Sequence, residues 1–140
     1  IEGVIAACPH DDQAVYLQVT RGVARRDQAF PNPPPRPTVL VMAWKMSKPS
    51  AEQRERGVAC ITQEDFRWHR CDIKSTSLLG NCMLRQAAAD AGAIEAVLVR
   101  DGCVTEASTS NVFLVKDGRI ATPPKDHYIL PGITYDLVLD

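Results

Sequence analysis

Three short stretches of this sequence carry residue types that could do chemistry. Cys71-Asp72-Ile73-Lys74-Ser75 sets a lysine beside an apolar isoleucine, just ahead of a helical pattern. Desolvation lowers a lysine's proton affinity, and the neutral amine then attacks a carbonyl. Most lysines are solvated surface residues, and this context alone fits that reading too. Val104-Thr105-Glu106-Ala107-Ser108-Thr109-Ser110-Asn111 puts a carboxylate after a strand, inside a run of small hydroxylated residues. Glu106 could meet a cationic or hydrogen-bonding ligand, and the loop's hydroxyls and N–H groups could hold a phosphate. By composition alone a polar loop between strands is the favoured reading. Pro131-Gly132-Ile133-Thr134 leads into a helix start, where free N–H groups and the dipole favour an anion. An ordinary loop with a threonine cap reads the same way.

Together, a lysine amine, a carboxylate and a phosphate-binding turn suit an aldehyde cofactor bearing a phosphate and a ring nitrogen, and pyridoxal 5'-phosphate meets that description. Other chemistries lack support. Local spacing assembles no Ser-His-Asp or Cys-His system, and the glycines are too scattered for a dinucleotide or P-loop fingerprint. The five cysteines contain no C-x-x-C pair, and His10, His69 and His127 lack ligand spacing, so no metal is expected. Reduced thiols in a cytoplasmic protein fit this cysteine usage best. Net charge is −1 with no dense basic block, which gives a nucleic-acid or membrane partner no electrostatic support. No apolar run approaches the ~20 residues of a membrane span.

The 140 residues, 45% apolar and 24% charged, suffice for one domain or parts of two. Alternation predicts half-buried strands over Ala14–Thr20 and Thr38–Trp44, joined through five prolines between Pro31 and Pro37. Lys45–Glu55 is polar and reads as a linker. Gly57–Thr62 begins the next strand. Ser77–Ala91 is the one long helix, its faces marked by Leu79, Met83, Gln86/Ala87 and Asp90/Ala91, with Gly92 as its C-terminal cap. Ile94–Arg100, Val112–Lys116 and Arg119–Thr122 are strands, with hairpin turns at Asp101-Gly102 and Asp117-Gly118. Thr134 resembles an N-cap and Asp136 suits a first turn, yet only two turns follow; Ile1 likewise begins inside an apolar pattern. The sequence therefore reads as a fragment.

These residues resemble the class IV aminotransferases, nearest the D-amino-acid transaminase branch. The resemblance rests on Asp72-Ile73-Lys74-Ser75, Gly92-Ala93-x-Glu95-Ala96, Val104-Thr105-Glu106-x-Ser108-x-Ser110-Asn111-Val112-Phe113 and Leu130-Pro131-Gly132-Ile133-Thr134. Tyr16-Leu17-Gln18-Val19-Thr20-Arg21-Gly22 and Phe30-Pro31 extend it over nearly the whole chain. It implies that Lys74 forms the internal aldimine and then shuttles a proton between the substrate carbon and the cofactor. Glu106 would contact the pyridine nitrogen, and Thr109, Ile133 and Thr134 the phosphate. Leu130 would pack on a ring face, and Arg67 would support the cofactor contacts. Arg26 and Gln28 fall where the branch grips a substrate carboxylate, although the branch places histidine at the second position. Tyr135 stands where an arginine is common, and Ala107 where a glycine is frequent.

The fold so implied is α+β, of the fold type IV aminotransferase kind. Residues 1–45 would end a small α/β domain, 46–55 link, and 56–140 form most of a larger β-rich, pseudo-barrel domain with packed helices. The implied reaction transfers an amino group between an amino acid, such as D-alanine, and a 2-oxo acid in a homodimer. Aminodeoxychorismate-lyase-like or amine transaminase chemistry would use the same cofactor. A catalytically silent fragment with a dimerisation role is the alternative from another class.

Overall fold

The computed structural model describes all 140 residues, which divide into two compact units, Ile1–Ala51 and Glu52–Asp140. In the first, helix α1 (Glu2–Ala7) precedes strands β1 (Gln13–Thr20) and β2 (Thr38–Lys45). The strands pair antiparallel in unbroken register from Gln13 opposite Lys45 to Thr20 opposite Thr38. The Gln13 side-chain amide donates to the carbonyls of Ile5 and Cys8, tying α1 to the ladder. Alternation predicts one covered face, but Val15, Leu17 and Val19 on one face and Tyr16 on the other are all exposed. Helix α1 contacts β2 but leaves these side chains uncovered, so within this unit the alternation is not matched by burial. Gly22 in the following loop has φ +105°, and a Cβ there would lie 2.1 Å from the Arg36 carbonyl oxygen, so only glycine fits.

Helix α2 (Ala51–Arg56), at the start of the second unit, occupies the latter half of the 46–55 stretch expected to be a linker. Strand β3 (Cys60–Glu64), helix α3 (Leu79–Asp90) and strand β4 (Glu95–Arg100) form a parallel β-α-β crossover. Strand β5 (Cys103–Ala107) returns antiparallel beside β4, giving sheet order β3-β4-β5. The β4–β5 turn places Asp101 at φ 50° and Gly102 at φ 78°, the two positive values of a tight I′ hairpin. Strands β6 (Leu114–Lys116) and β7 (Arg119–Ala121) repeat the device at Asp117-Gly118 as a separate ribbon, so no barrel closes within these residues. Helix α4 (Ile133–Leu139) ends the chain.

The core of this unit is Leu84 and Ala88 of α3 against Ala93, Ala96 and Leu98, with Ile61 of β3 packed alongside. The inward face of α3 is therefore one residue round from the expected one: Leu79 and Met83 are 74% and 55% exposed, while Leu84 is 1%. Small Ala88 and Ala96 let the helix approach the sheet closely, which the bulkier Leu79 and Met83 would resist. The helix ends as expected at Gly92, whose φ is +71°. Gly92 N–H donates to the Ala89 carbonyl and Ala93 N–H to that of Ala88. This is a Schellman closure whose apolar contact, Ala88 with Ala93, lies in the core. Leu84→Ala is expected to lower the unfolding free energy by about 2–5 kcal/mol, and Met83→Ala to change it by less than about 0.5 kcal/mol. Chemical denaturation of both variants checks this, and equal losses would contradict the observed helix face.

Candidate active site

The sheet edge and two loops of the second unit converge on one buried guanidinium. Arg67 follows β3, and its Nε and Nη2 donate to Asp65 Oδ1 and Oδ2, both at 2.9 Å, in a two-pronged fork. Its Nη1 donates to Glu106 Oε1, and its Nη2 also reaches the Tyr128 carbonyl at 3.1 Å. Local geometry starts the assembly. Asp65 accepts the Arg67 backbone N–H at 3.1 Å, a turn that needs an acceptor two residues before the donor.

Asp65 is shared further. Thr105 Oγ1 donates to its Oδ2 at 2.7 Å, and Arg100 Nη2 lies 3.2 Å from its Oδ1. Arg100 also donates to the Arg67 carbonyl at 2.8 Å and lies 4.5 Å above the Tyr128 ring. Burial opposes ionisation of Asp65, but the hydrogen bonds from Arg67 and Thr105 and the charge of Arg67 outweigh it. The carboxyl is held well below the usual range. Burial also opposes the charge on Arg67, and Asp65 and Glu106 together overcome it, so the guanidinium is held above its ordinary value.

Glu106, last but one in β5, has its second oxygen occupied as well. Oε2 accepts from the Leu130 N–H at 3.1 Å and from the Asn111 amide at 3.4 Å, and Asn111 also donates to the Leu130 carbonyl. Glu106, Arg67 and Leu130, three residues singled out in the sequence, are thus brought together. Ala107 is accommodated where relatives favour glycine, because positive φ among non-glycine residues is confined to Asp101 and Asp117.

Lys74 lies in the loop between Arg67 and α3 and is exposed, as is Ile73 beside it, so the expected desolvated pocket is not formed within this chain. Its ammonium has no hydrogen-bond or ion-pair partner here. The loop is nevertheless pinned at both ends, on one side to the segment leading to Leu130 and on the other to the residue just after β5. Cys71 N–H donates to the His127 carbonyl at 2.8 Å, and the Asn81 amide of α3 donates to the Ser108 carbonyl at 2.8 Å. Gly80 permits the close approach, since a Cβ there would lie 3.3 Å from Arg67 Cγ.

Thr109 is placed differently. Its N–H and hydroxyl donate to Glu95 Oε2 at 3.2 and 2.6 Å, and the hydroxyls of Ser108 and Ser110 also converge on the Glu95 carboxylate. Burial opposes the charge of Glu95, and these bonds, with the Ala96 N–H, reverse that and lower its proton affinity. Thr134 does not cap α4: Gly132 holds that position without a side-chain bond, and Thr134 lies in the first turn. The amides of Ile133 and Thr134 have no acceptor in the chain. Tyr135 is buried, its hydroxyl donating to the Pro123 carbonyl at 2.7 Å, so it anchors the helix rather than meeting an anion. Arg26 and Gln28 are exposed in the loop of the first unit.

Residue spacing alone did not reveal Asp65, Arg100, Thr105 or Glu95. The one local signal that could have found the pair is the Asp65-x-Arg67 spacing, in which an aspartate can accept the N–H two residues on.

A model of the amino-transferase class IV family matches residues 1–140. The chain belongs to the class IV aminotransferases. This class IV chain is 46% identical over 120 residues to the D-alanine aminotransferase of Staphylococcus epidermidis, covering 86% of the chain and 42% of that protein. It therefore spans less than half the length of the curated relatives it matches. The fold IV-transaminase of Curtobacterium pusillum superposes with a TM-score of 0.72 at 26% identity, over 91% of this chain and 43% of that one. A hypothetical aminotransferase from Mycobacterium tuberculosis, in its apo form, gives 0.72 at 25% identity over 96% and 48%. The expected α+β, fold type IV architecture is the observed one. No helix is long and apolar enough to cross a membrane.

The depressed Asp65 carboxyl sets a pH dependence. A group whose folded proton affinity is lowered stabilises the fold above its unfolded pKa of about 3.9 and loses that contribution as pH falls toward its folded value. Unfolding free energy is expected to decline as pH drops below about 4, with a shallower decline in Asp65→Asn. Denaturation across pH 2–7 measures both, and parallel slopes would remove Asp65 from the account.

Proposed function

We propose that this chain is the cofactor-holding part of a pyridoxal 5'-phosphate-dependent transaminase. The reaction moves an amino group between an amino acid, D-alanine being the natural candidate from the D-alanine aminotransferase relatives, and a 2-oxo acid. The observation that carries this reading is the Glu106 carboxylate, buried and held by Arg67, the Leu130 N–H and Asn111. A carboxylate so fixed suits a ring nitrogen that must keep its proton.

The residues fit the group in three respects. Lys74 offers an amine free of ion pairs, Glu106 offers an anchored anion, and the Ile133 and Thr134 amides offer unused donors to a phosphate. When bound, the cofactor supplies an electron-accepting ring conjugated to the carbon that receives the amino group. Lys74 Nζ would attach the group and then carry the proton at the substrate carbon. Glu106 would hold the proton on the ring nitrogen, with Arg67 fixing the carboxylate's direction. Leu130, its main chain clamped between Glu106 and Asn111, would pack against the ring. Thr109 reaches the phosphate only by exchanging its bonds to Glu95. Arg26 offers a two-pronged contact to a substrate carboxylate, with Gln28 as a neutral hydrogen-bonding neighbour. A reducing, cytoplasmic setting accords with the five free cysteines, and a homodimer follows the family resemblance.

Borohydride reduction after incubation with pyridoxal 5'-phosphate, followed by peptide mass analysis, tests the reading. The expected product is a phosphopyridoxyl group on Lys74, absent in Lys74→Ala, which should keep its fold and lose amino transfer from D-alanine to 2-oxoglutarate. A protein that stays colourless and unmodified would end the proposal.

A further inference from the structure

Asp65 has no part in the reaction as derived so far, yet its buried carboxylate accepts four hydrogen bonds and pairs with a second cation. Its carboxylate is completely buried, accepts the Arg67 fork and the Thr105 hydroxyl, and pairs with the charge of Arg100. We infer that Asp65 is a positioning residue that divides the charge of Arg67, so that Glu106 faces the cofactor ring as an anion not fully neutralised from behind. The inference rests on the proposed cofactor role of Glu106.

Charges balance in this dry site. Two cations, Arg67 and Arg100, stand against two anions, Asp65 and Glu106, and the Arg67 and Asp65 side chains are 3% and 0% exposed. The Cys71 thiol senses all four charges, but burial, with Asp65 and Glu106, pushes its proton affinity up, so it stays neutral at pH 7 and does not enter the sum. If Arg67 were paired with Glu106 alone, its whole positive field would act on the carboxylate and on any proton placed beyond it. With Asp65 taking Nε and Nη2, only Nη1 is spent on Glu106. The guanidinium then orients the carboxylate without cancelling it. Removing Asp65's charge makes the cluster net positive and disfavours a further proton on the ring. Removing Arg100's charge makes it net negative and favours one.

The test uses the natural protein carrying this chain at its full length, loaded with pyridoxal 5'-phosphate labelled with 15N in the ring. The 15N shift is followed against pH. In the unaltered protein the ring nitrogen is expected to be protonated at neutral pH. In Asp65→Asn the midpoint should fall by about one pH unit, a tenfold loss of proton affinity. In Arg100→Gln it should move the other way, upward. Nonspecific loosening of the site would not produce opposite signs. An Asp65→Asn midpoint equal to that of the unaltered protein overturns the inference and leaves the cofactor reading intact. If Asp65→Asn does not fold, Arg100→Gln decides alone: an upward shift supports the division of charge, and an unmoved or lowered midpoint overturns it. Failure of the unaltered protein to take up the label, or to hold its ring nitrogen protonated, defeats the cofactor reading itself.

Discussion

The second unit depends on a guanidinium removed from water. Burying Arg67 is unfavourable unless every donor finds a partner and its charge finds an anion. Asp65 two residues before it in the chain, Glu106 near the end of β5, and the Tyr128 carbonyl in a distant loop take four of its N–H groups and balance its charge. A buried ion pair is weak evidence for stability, because desolvation consumes most of the Coulombic gain. Its effect here is on geometry. One rigid planar fork ties the end of β3 and strand β5, already joined through β4, to the distant Tyr128 loop.

The rest of the site follows from that fixation. Glu106, held by Arg67 on one oxygen, holds Leu130 and Asn111 with the other, so the chain leading into α4 is set by the same cluster. Glu95 plays a parallel part for the 108–110 loop, gathering four donors that would otherwise be free to turn. The apolar core of Leu84, Ala88, Ala96 and Leu98 packs α3 against β4. Core packing therefore supplies stability, and the ionic cluster supplies direction.

Much of this was legible in the sequence. Asp101-Gly102 and Asp117-Gly118 announced their hairpins because both positions require positive φ, and Gly92 announced the end of α3 for the same reason. The motif residues Lys74, Glu106 and Gly132-Ile133-Thr134 gave the family through their order and spacing. Other features escaped for physical reasons. The inward face of α3 was misplaced because Leu79 and Met83 match a helical period as well as Leu84 and Ala88 do, and only the sheet's position chooses between them. Asp65, Arg100 and Thr105 lie up to 40 residues apart, and no local rule joins them. Thr109 was read as a free donor because its acceptor, Glu95, is 14 residues upstream.

The cluster around Arg67 is proposed to aim Glu106 at the ring nitrogen of a pyridoxal cofactor. A crystal structure of the protein with pyridoxal 5'-phosphate bound tests it most directly. The account predicts a Glu106 oxygen within hydrogen-bond distance of the ring nitrogen, about 2.7–3.2 Å, with Arg67 still forked on Asp65. A ring nitrogen facing another group, or an Arg67 swung away from Asp65, would contradict it.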